Sequence, residues 1–373
     1  MRVAVNGAIL DGTPSGLGTY TMQVSRALAA AGADVLLYAS APGVSPGPRI
    51  EVRPAPAWAQ LGRGFPGYLR WIAWTNLALK RRIPRDRPDV LLAPGPTEAL
   101  LRSPVLQIIV MHDCIPLRFP ASYPQQYRFY RYAVPRLLRR AGHVVAVSGA
   151  TAADLRRYYP DLSEARVTVV HNGLDWKSLG AAPPSGAGVA DGPYLLAVGN
   201  LLPHKNLERL IDAFARLPGP SRLTLTIVGR KDRRFYPRLR AHAEAAGVGT
   251  RVRFAGYVGA PALAGLYRGA RALVHPSLSE GFGLPPLEAM ACATPALVSR
   301  IPALEEVCGD AALYFDPEDP AALTAALASV LEDGHLRERL ARAGPVQAKQ
   351  YTWERTAGAL LDLFEGLAAA DRR

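Results

Sequence analysis

Short apolar runs rich in β-branched residues alternate with helical patterns along the whole chain of 373 residues. Strands that read as near-continuous apolar runs are buried on both faces, which is the pattern of a parallel sheet covered by helices on its two sides. The predicted strands form two series: residues 3–5, 35–38, 90–93, 106–111 and 144–147, and then residues 195–198, 223–228, 252–254 and 272–275. The sequence therefore predicts an α/β protein with two doubly wound parallel sheets.

The two series are separated by a stretch without periodicity. Residues 178–188 are rich in Gly, Pro and Ala, as expected for an interdomain linker. The length of the chain also exceeds what one hydrophobic core usually serves. We predict a Rossmann-like first domain over residues 1–177, a linker over 178–192 and a Rossmann-like second domain over 193–352. In such sheets ligands bind beyond the carboxyl ends of the strands, and we expect the domains to face a central cleft.

Several classes of protein are disfavoured by simple features of the sequence. The chain begins with a strand pattern, MRVAV, which lacks the basic and apolar character of a signal peptide. No apolar run reaches the ~18 residues that span a bilayer, so we predict a cytoplasmic protein. Cys114, Cys292 and Cys308 are widely spaced and form no C-x-x-C motif, which argues against disulfides and zinc. The seven histidines include no i,i+4 pair, and we predict no metal site.

The net charge of +13 is concentrated in the first half of the chain. Residues 1–180 hold 22 Lys and Arg against 11 Asp and Glu, whereas residues 181–373 hold 22 against 20. Basic and aromatic residues are mixed at helical spacing in the segments 63–87 and 128–140. One interpretation is docking on an anionic membrane surface, and the other is ordinary solvated faces in an Arg-rich composition. Nucleic acid is not expected as a partner, because no helix-turn-helix, RNP-like or finger pattern occurs.

The most informative short motif is EGFGLPPLE at residues 280–288. Residues 272–275 read as a buried strand and residues 286–290 as the first turns of a helix. Glu280 would then lie at the carboxyl end of a strand and Glu288 inside the helix, so both can face one crevice. The two glycines let the backbone approach a ligand, and free N–H groups at a helix start favour a diphosphate. The alternative is an ordinary strand–loop–helix connection with two solvated acids.

This motif, continued by EAMA at 288–291 and TP at 294–295, resembles residue for residue the E-x7-E region of the retaining glycosyltransferases of family 4. The resemblance runs through most of the chain and implies the two-domain GT-B fold. It also implies that the last helix, about 353–373, packs back on the first domain. That helix is amphipathic through Ala357, Leu360, Leu361 and Phe364.

The resemblance assigns roles to the residues of the motif. Glu288 is expected to accept hydrogen bonds from ribose hydroxyls, since an ionised carboxylate can take two adjacent O–H donors. Glu280 is expected to hold hydroxyls of the donor sugar. The backbone amides of Phe282, Gly283 and Leu284 are expected to contact the diphosphate.

The second domain also carries a cation that matches the family. In GNLLPHKN at 199–206, Lys205 resembles the phosphate-contacting lysine and is expected to neutralise the leaving diphosphate. Many members carry an arginine where this chain has Asn200, which we still place in the donor site. Arg230 or Lys231, after the strand that ends at residue 228, is a candidate for the second charge.

The donor is inferred from shorter matches. The segments 199–206 and 112–117 look most like members that transfer mannose from GDP-mannose, and users of UDP-glucose or UDP-N-acetylglucosamine share the scaffold. The segment RFAGYV at 253–258 matches the part of the family that lines the base pocket. Tyr257 is therefore assigned to the donor site, although we favour a packed ring over one stacked on the base.

The first domain is expected to contribute Gly16, His112 and Asp113. Gly16 follows the first strand and precedes a helix predicted from about residue 20 to 30, and the family places this loop opposite the diphosphate. His112 follows the strand at 106–111 and is expected to contact the donor sugar and help position the acceptor, with Asp113 fixing its orientation. Ser148 and the segment 172–175 also match the family and are interpreted as mainly structural.

The mechanism implied by the family is front-face transfer with retention. No carboxylate pair is placed as a nucleophile, and no D-x-D motif follows a strand, so no metal or other cofactor is expected. Lys205 and the helix-start amides would stabilise the developing charge. The predicted catalytic residues are His112, Asp113, Lys205 and Glu280, acting between a nucleotide-sugar donor and a glycan or lipid-linked acceptor. The alternatives are a silent nucleotide-sugar-binding or membrane-docking protein on the same fold, and a nucleotide-sugar 2-epimerase.

Overall fold

A computed structural model describes residues 1–10, 15–39, 47–56, 58, 70–180, 192–217 and 222–371. The chain divides into two compact units. The N-terminal unit comprises Met1–Gly173 and Thr352–Arg373, and the C-terminal unit comprises Leu174–Tyr351. No helix among the described residues is both long enough and apolar enough to cross a membrane.

In the described part of the N-terminal unit, parallel strands form one sheet in the order β3-β2-β1-β4-β5-β6-β7. The strands are β1 Arg2–Asn6, β2 Asp34–Ala39, β3 Ile50–Pro54, β4 Val90–Ala93, β5 Leu106–Met111, β6 His143–Ala146 and β7 Val167–Val169. The chain starts in the middle of the sheet and reverses direction once, which is the doubly wound arrangement. Every residue of β4 is buried, and this is why the strand reads as an uninterrupted apolar run.

Helices of the N-terminal unit connect these strands. The α-helices are Gly16–Ala30, Lys80–Asp86, Ile115–Arg118, Pro124–Arg128, Val134–Arg140, Gly149–Tyr158 and Trp353–Asp371. Two π-helical segments, Trp74–Leu79 and Phe129–Ala133, run directly into α-helices. Short 3₁₀ turns occur at Pro96–Glu98 and Glu164–Arg166. The helix at Gly16 begins four residues earlier than predicted, because the Ser15 side chain accepts the N–H of Gly18 and caps it.

The described residues of the C-terminal unit form a second parallel sheet in the order β10-β9-β8-β11-β12-β13. Its strands are β8 Tyr194–Val198, β9 Thr224–Val228, β10 Val252–Gly256, β11 Ala272–His275, β12 Ala296–Ser299 and β13 Ala312–Phe315. Its α-helices are Trp176–Gly180, Leu207–Ala215, Tyr236–Ala245, Ala260–Gly269, Leu284–Ala291, Pro302–Cys308, Pro320–Glu332 and Gly334–Ala348, with 3₁₀ turns at Pro203–Lys205 and Gly309–Ala311. The order again reverses once, so the unit repeats the doubly wound plan.

The predicted fold class is confirmed, and the nine predicted strands are all present. Four further strands, β3, β7, β12 and β13, were not predicted from the sequence. Three of these four lie at the edges of their sheets and are only partly buried, so they lack a continuous apolar run. The fourth, β12, is a buried strand of four residues, too short to show a period.

The core of the C-terminal unit shows how the helices are held on the sheet. In the helix Leu207–Ala215 the buried residues include Leu210, Ile211 and Phe214, spaced three to four residues apart on one face. Phe214 is fully buried, and truncation of such a side chain to Ala typically costs about 3–5 kcal/mol. The helix begins after Asn206, whose side-chain amide donates to the carbonyl of Pro317 at 3.0 Å. Lys205 lies in the loop that precedes the helix, and this bond fixes that loop.

The last helix, Trp353–Asp371, belongs to the N-terminal unit and packs against the helix Gly16–Ala30. Of the residues predicted for its apolar face, Ala357, Leu360 and Phe364 are fully buried and Leu361 is partly buried. The hydroxyl of Thr356 donates to the carbonyl of His171 at 2.7 Å.

The chain passes between the two units at residues 173–174 and 351–352. At Gly173 a Cβ would collide with the backbone of Thr352 and Trp353, so only glycine permits this approach. The predicted first-domain boundary was residue 177 and the predicted linker was 178–192. Residues 176–180 instead form a helix of the C-terminal unit, and residues 181–191 lie outside the described residues.

Candidate active site

The turn that carries the E-x7-E motif is fixed by one glycine. Gly283 has φ 120° and ψ 45°, a conformation that residues with side chains rarely adopt. A Cβ here would also lie 2.7 Å from Cδ2 of Leu304. The chain therefore turns sharply at Gly283, between the loop that follows β11 and the helix Leu284–Ala291.

The start of that helix has few N–H donors. Pro285 and Pro286 occupy its first turn, where proline is favoured because its φ is pre-organised and its missing N–H is one that a helix start leaves unpaired. Of the first three helical residues only Leu284 can donate an N–H. The predicted diphosphate contacts therefore depend on the backbone of residues 282–284 rather than on the next residues of the helix.

Glu280 is the centre of a hydrogen-bonded cluster. Its Oε1 lies 2.6 Å from Nζ of Lys205 and 2.7 Å from Nε2 of His275. Oγ of Ser277 lies 3.3 Å from the same ring nitrogen. The side chains of Lys205 and Glu280 are only 15% and 11% exposed. Two residues that the sequence predicted separately are thus joined as an ion pair beyond the carboxyl ends of β8 and β11.

The charges in this cluster follow from burial and from neighbouring ions. Burial alone would raise the pKa of Glu280, but the Lys205 ammonium and the His275 ring hold that pKa well below its usual range. Burial lowers the pKa of His275 against the opposing effect of Glu280, and burial with the Lys205 charge lowers the pKa of His204 to about 4. At neutral pH Glu280 is therefore ionised while both rings are neutral. Since a carboxylate only accepts, Nε2 of His275 carries the proton and donates it.

Glu288, the second acid of the motif, has a different environment. The hydroxyl of Tyr267 donates to its Oε2 at 2.7 Å. Burial raises the pKa of Glu288 to about 7; the Tyr267 bond works against this rise and the charge of Asp175 adds to it. The two acids of one motif therefore differ in charge, because Glu280 is fully ionised near neutrality whereas Glu288 titrates there.

The candidates for a second cation lie where β8 and β9 end. The N–H of Leu201 donates to the carbonyl of Arg230 at 3.4 Å, so Asn200 and Arg230 lie on adjoining loops. Both side chains are exposed. Nζ of Lys231 lies 4.8 Å from the centroid of the Tyr236 ring, a cation–π arrangement. Arg230 is thus the candidate whose backbone contacts the residue next to the neutral Asn200.

Tyr257 follows β10, an edge strand of its sheet. Its side chain is 63% exposed. The interpretation of this residue as a packed aromatic is therefore wrong, because a packed ring would be largely buried. An exposed ring at the end of a strand remains available to a ligand, and its assignment to the donor site stays a prediction.

The His112 ring forms a hydrogen bond to the backbone through Nε2. Nε2 lies 2.8 Å from the carbonyl oxygen of Pro94, and the ring packs edge-on against Tyr20 with centroids 4.7 Å apart. A carbonyl only accepts, so Nε2 carries the proton. Burial lowers the pKa of His112 to about 4, which leaves a neutral ring whose Nδ1 is an acceptor. Oδ1 of Asp113, predicted to orient this ring, accepts the N–H of Ile115 at 2.9 Å at the start of a helix.

The remaining first-domain predictions concern backbone positions. Gly16 is exposed at the first position of its helix, and no atom of the described residues lies within 4 Å of where its Cβ would be. Ser148 caps the helix Gly149–Tyr158 by accepting the N–H of Thr151 at 3.0 Å. Asp175 similarly accepts from Ser178 at the start of the helix Trp176–Gly180. Ser148 and Asp175 therefore have the structural role that we expected.

No three His, Cys, Asp or Glu side chains in the described parts of the chain are grouped so that they could hold a metal ion. Cys114, Cys292 and Cys308 are buried free thiols.

Two family models match the chain. The model described as Glycosyltransferase Family 4 matches residues 14–177, and the model described as Glycosyl transferases group 1 matches residues 185–347. The chain is 30% identical over 263 residues to O-antigen chain mannosyltransferase RfbU of Salmonella typhimurium, and the match covers 70% of each protein. The chain belongs to glycosyltransferase family 4.

The chain also matches another relative over a shorter length. It is 38% identical over 169 residues to O-antigen chain mannosyltransferase B of Escherichia coli, which covers 43% of this chain and 42% of that protein. The chain thus spans less than half the length of that relative.

Solved structures confirm the GT-B fold of this glycosyltransferase. Sucrose-phosphate synthase from Thermosynechococcus elongatus superimposes with a TM-score of 0.80 at 22% identity, covering 99% of each chain. WaaG, a glycosyltransferase of lipopolysaccharide biosynthesis, superimposes with a TM-score of 0.74 at 18% identity, covering 98% of this chain and 100% of that one.

Three partners in the sites of this glycosyltransferase were not singled out from the sequence: His275, Tyr267 and Pro94. His275 ends a buried strand five residues before Glu280, and that position could have marked it. Tyr267 lies on the helix Ala260–Gly269, far in sequence from Glu288, and Pro94 acts through its carbonyl. No side-chain pattern in the sequence reports either of these contacts.

Proposed function

We propose that this glycosyltransferase moves a hexose, with retention of configuration, from a nucleotide diphosphate sugar to a glycan or lipid-linked acceptor without a metal ion. The observation that most supports this is the Lys205–Glu280–His275 cluster. It holds an ammonium and an ionised carboxylate, 2.6 Å apart, where the family motif has its phosphate and sugar contacts. A donor has complementary groups, an anionic diphosphate and a hydroxyl-rich ring.

In the proposed reaction the bond between the anomeric carbon and the phosphate oxygen breaks, and the bond to the acceptor oxygen forms on the same face. The acceptor proton passes to the departing phosphate oxygen, so the products are a glycoside and a nucleoside diphosphate. Lys205 and the backbone N–H groups of residues 282–284 stabilise the negative charge that develops on the leaving group. Glu280 holds hydroxyls of the sugar and, being ionised, stabilises positive charge on the ring.

Glu288 is proposed to bind the ribose hydroxyls. Its pKa of about 7 means that hydroxyl donors compete with a proton for its oxygens. Tyr267 holds one oxygen and leaves the carboxylate in a fixed orientation. His112 is proposed to contact the donor sugar and position the acceptor through its unprotonated Nδ1, and Asp113 to hold the loop that follows it.

GDP-mannose is the proposed donor. The relatives named above as O-antigen mannosyltransferases support mannose, and the segments 112–117 and 199–206 carry the likeness. UDP-glucose and UDP-N-acetylglucosamine are the competing donors. We place the reaction in the cytoplasm, at the inner face of the cell membrane.

Thermal unfolding with GDP-mannose, UDP-glucose, UDP-N-acetylglucosamine and ADP-glucose tests the donor. A ligand at 100 times its dissociation constant adds about 2.7 kcal/mol to the free energy of unfolding, so the cognate donor should give the largest rise in Tm. No rise with any nucleotide sugar would refute the proposal.

Product analysis tests the reaction. We expect nucleoside diphosphate release without acceptor to be slow, and the glycoside formed with acceptor to keep the donor's anomeric configuration. Binding without release of nucleoside diphosphate would indicate a silent binding protein, and a changed sugar without glycoside would indicate an epimerase. Turnover should persist in EDTA; its loss on chelation and its recovery on adding a divalent ion would reject the metal-free scheme.

A further inference from the structure

The N-terminal unit carries an open cavity of about 420 Å³ with a mainly apolar lining, within the size range of about 300–1,000 Å³ typical of ligand pockets. We call it the apolar groove, and its lining includes Trp71, Ile72, Ala99, Leu101, Phe129 and Tyr132. Ile72, Leu101 and Tyr132 are 39%, 40% and 61% exposed. Large apolar side chains grouped on a surface in this way indicate a binding site.

Two π-helical segments contribute to the lining of the apolar groove. Trp74–Leu79 supplies Thr75 and Asn76, and Phe129–Ala133 supplies Phe129 and Tyr132. Such turns are rare and frequently occur at functional sites. The hydroxyl of Thr75 is buried in this lining and has no hydrogen-bond partner among the described residues. An unpaired buried polar group lowers the free energy of unfolding by about 1–3 kcal/mol. The wall of the groove therefore keeps a residue that does not favour stability.

A basic cavity of about 340 Å³ adjoins the apolar groove and shares Tyr132 and Arg136 with it. We call Arg131, Arg136 and Arg139, which line it, the arginine cluster. Asp161 is the carboxylate among the described lining residues, so positive charge is in excess. Guanidinium groups match the geometry of phosphate oxygens.

We infer that the apolar groove and the arginine cluster together bind a membrane lipid phosphate, with its hydrocarbon chain in the groove and its phosphate or diphosphate at the arginines. This inference rests on the proposed function, because it specifies the anchor of the lipid-linked acceptor. A soluble anion would leave Ile72 and Leu101 in water, whereas a purely apolar partner would leave the excess positive charge of the arginine cluster uncompensated. An amphiphile of this kind complements both cavities.

The groove is connected to the residue that we propose positions the acceptor. Thr97 lines the groove, and its carbonyl accepts the Nε1–H of Trp71 at 2.8 Å. Three residues earlier, the carbonyl of Pro94 holds His112 at 2.8 Å. The segment 94–97 therefore links the wall of the groove to His112 within one unit of the chain.

The test is the affinity of the full chain for farnesyl diphosphate, farnesol and inorganic diphosphate, measured by calorimetry. We expect farnesyl diphosphate to bind at least tenfold more tightly than either of its parts. Leu101→Asp, and separately the pair Arg136→Gln with Arg139→Gln, should each weaken it at least tenfold. The controls are Val346→Asp and Arg240→Gln in the C-terminal unit, which change an exposed aliphatic residue and an exposed arginine and should leave the affinity unchanged.

Circular dichroism and the Tm shift with GDP-mannose monitor folding and donor binding in every variant. If Leu101→Asp does not fold, Ile72→Asp takes its place. Equal affinities for farnesyl diphosphate and inorganic diphosphate, or unchanged affinity in the groove variants, would overturn the inference. Farnesyl diphosphate binding without any donor-induced Tm shift would instead support the lipid site and reject the proposed transfer.

Vesicle flotation distinguishes a built site from general attraction to anionic membranes. Phosphatidylcholine vesicles that contain polyprenyl phosphate should retain the wild-type chain better than vesicles with the same charge from phosphatidylglycerol. Equal retention would show a non-specific basic surface and contradict the inference.

Discussion

Nζ of Lys205 lies 2.6 Å from Oε1 of Glu280, and each of these side chains is largely removed from water. Each ion is therefore the counter-ion of the other. A diphosphate that binds Lys205 must compete with a carboxylate, and a sugar that binds Glu280 must compete with an ammonium. In the proposed function, donor binding would satisfy both ions together, so the pair would couple recognition of the phosphate to recognition of the sugar.

Removing either ion alone should destabilise the protein, because the other ion is left buried with less compensation. We expect Lys205→Met and Glu280→Gln each to lower the free energy of unfolding by about 3 kcal/mol. The double variant should lose less than the sum of the two. Urea denaturation of the four proteins measures the coupling, with Arg240→Gln, Glu244→Gln and their double variant as an exposed ion-pair control expected to show at most about 0.5 kcal/mol. Additive losses for Lys205 and Glu280 would contradict the paired arrangement.

The same two substitutions should lower kcat even under conditions where the variants are fully folded. Lys205→Met removes charge stabilisation from the leaving group, and losses of about 10²-fold in kcat are typical for one such donor. The measurement is the initial rate with saturating donor at a temperature where each variant is folded. Wild-type kcat in either variant would remove that residue from the catalytic site.

Glu288 should make donor binding depend on pH. The ribose hydroxyls need the ionised carboxylate, and the pKa of Glu288 is raised to about 7. Donor affinity should therefore be about tenfold weaker at pH 6 than at pH 8, since the fraction ionised changes by that factor. The diphosphate diester of the donor stays ionised over this range and adds no pH dependence. Calorimetric titration of Glu288→Gln, expected to bind weakly at both pH values, provides the control.

The effect of this group on stability has the opposite dependence. The folded state holds the Glu288 proton more tightly than the unfolded chain, so its contribution to stability falls as pH rises from about 4.5, the ordinary value, to about 7. Glu288→Gln should therefore raise the Tm relative to wild type more at pH 8 than at pH 5. A larger gain at pH 5 would show that the pKa is not raised.

His112 should act as a neutral acceptor over the physiological range. Its pKa is lowered to about 4, so titration of this ring should contribute no inflection near pH 6.5 to the pH profile of kcat/KM. The profiles of wild type and a His112 variant should therefore have the same shape near that pH. His112→Ala should lower kcat at least tenfold while the donor-induced Tm shift persists. An inflection near pH 6.5 that is lost in His112→Ala would mean that the ring works as a general acid or base instead.

We expect replacement of Ala293 by glycine to stabilise the protein. It has φ 57°, the left-handed region, and its side chain is exposed, so its methyl group gains little from burial. Glycine adopts this conformation without strain, at the expense of a more flexible unfolded chain. Ala293→Gly should raise the free energy of unfolding by about 0.5–1 kcal/mol, whereas Ala325→Gly inside the helix Pro320–Glu332 should lower it by a similar amount. A decrease in both variants would show that residue 293 is not strained.

The sequence predicted the fold well where burial leaves a direct trace in composition. Both faces of β4 are covered, so all four of its residues are apolar and the strand was found. The edge strands β3 and β7 expose part of their surface and carry charged or polar residues, so their composition resembles that of loops. The predicted linker began at residue 178, yet residues 176–180 form a short helix capped by Asp175, and so short a helix shows no long apolar period.

The sequence named candidate site residues but not the contacts between them. Lys205 and Glu280 were placed near one ligand, yet their ion pair spans 75 residues and depends on how β8 and β11 lie side by side. The different charge states of Glu280 and Glu288 could not be predicted either. They arise from Lys205 and His275 around Glu280, and from burial at Glu288, where the charge of Asp175 adds to the rise in pKa.

The junction at Gly173 and Trp353 has a consequence for how such enzymes diversify. The N–H of Leu174 donates to the carbonyl of Tyr351 at 3.2 Å, so the segment 174–351 starts and finishes at neighbouring points. A domain whose two ends lie side by side can be replaced by a homologous domain without changing the path of the rest of the chain. If the C-terminal unit binds the donor as proposed, chimeras in which the segment 174–351 comes from a homologue of different sugar preference should take on the preference of that homologue.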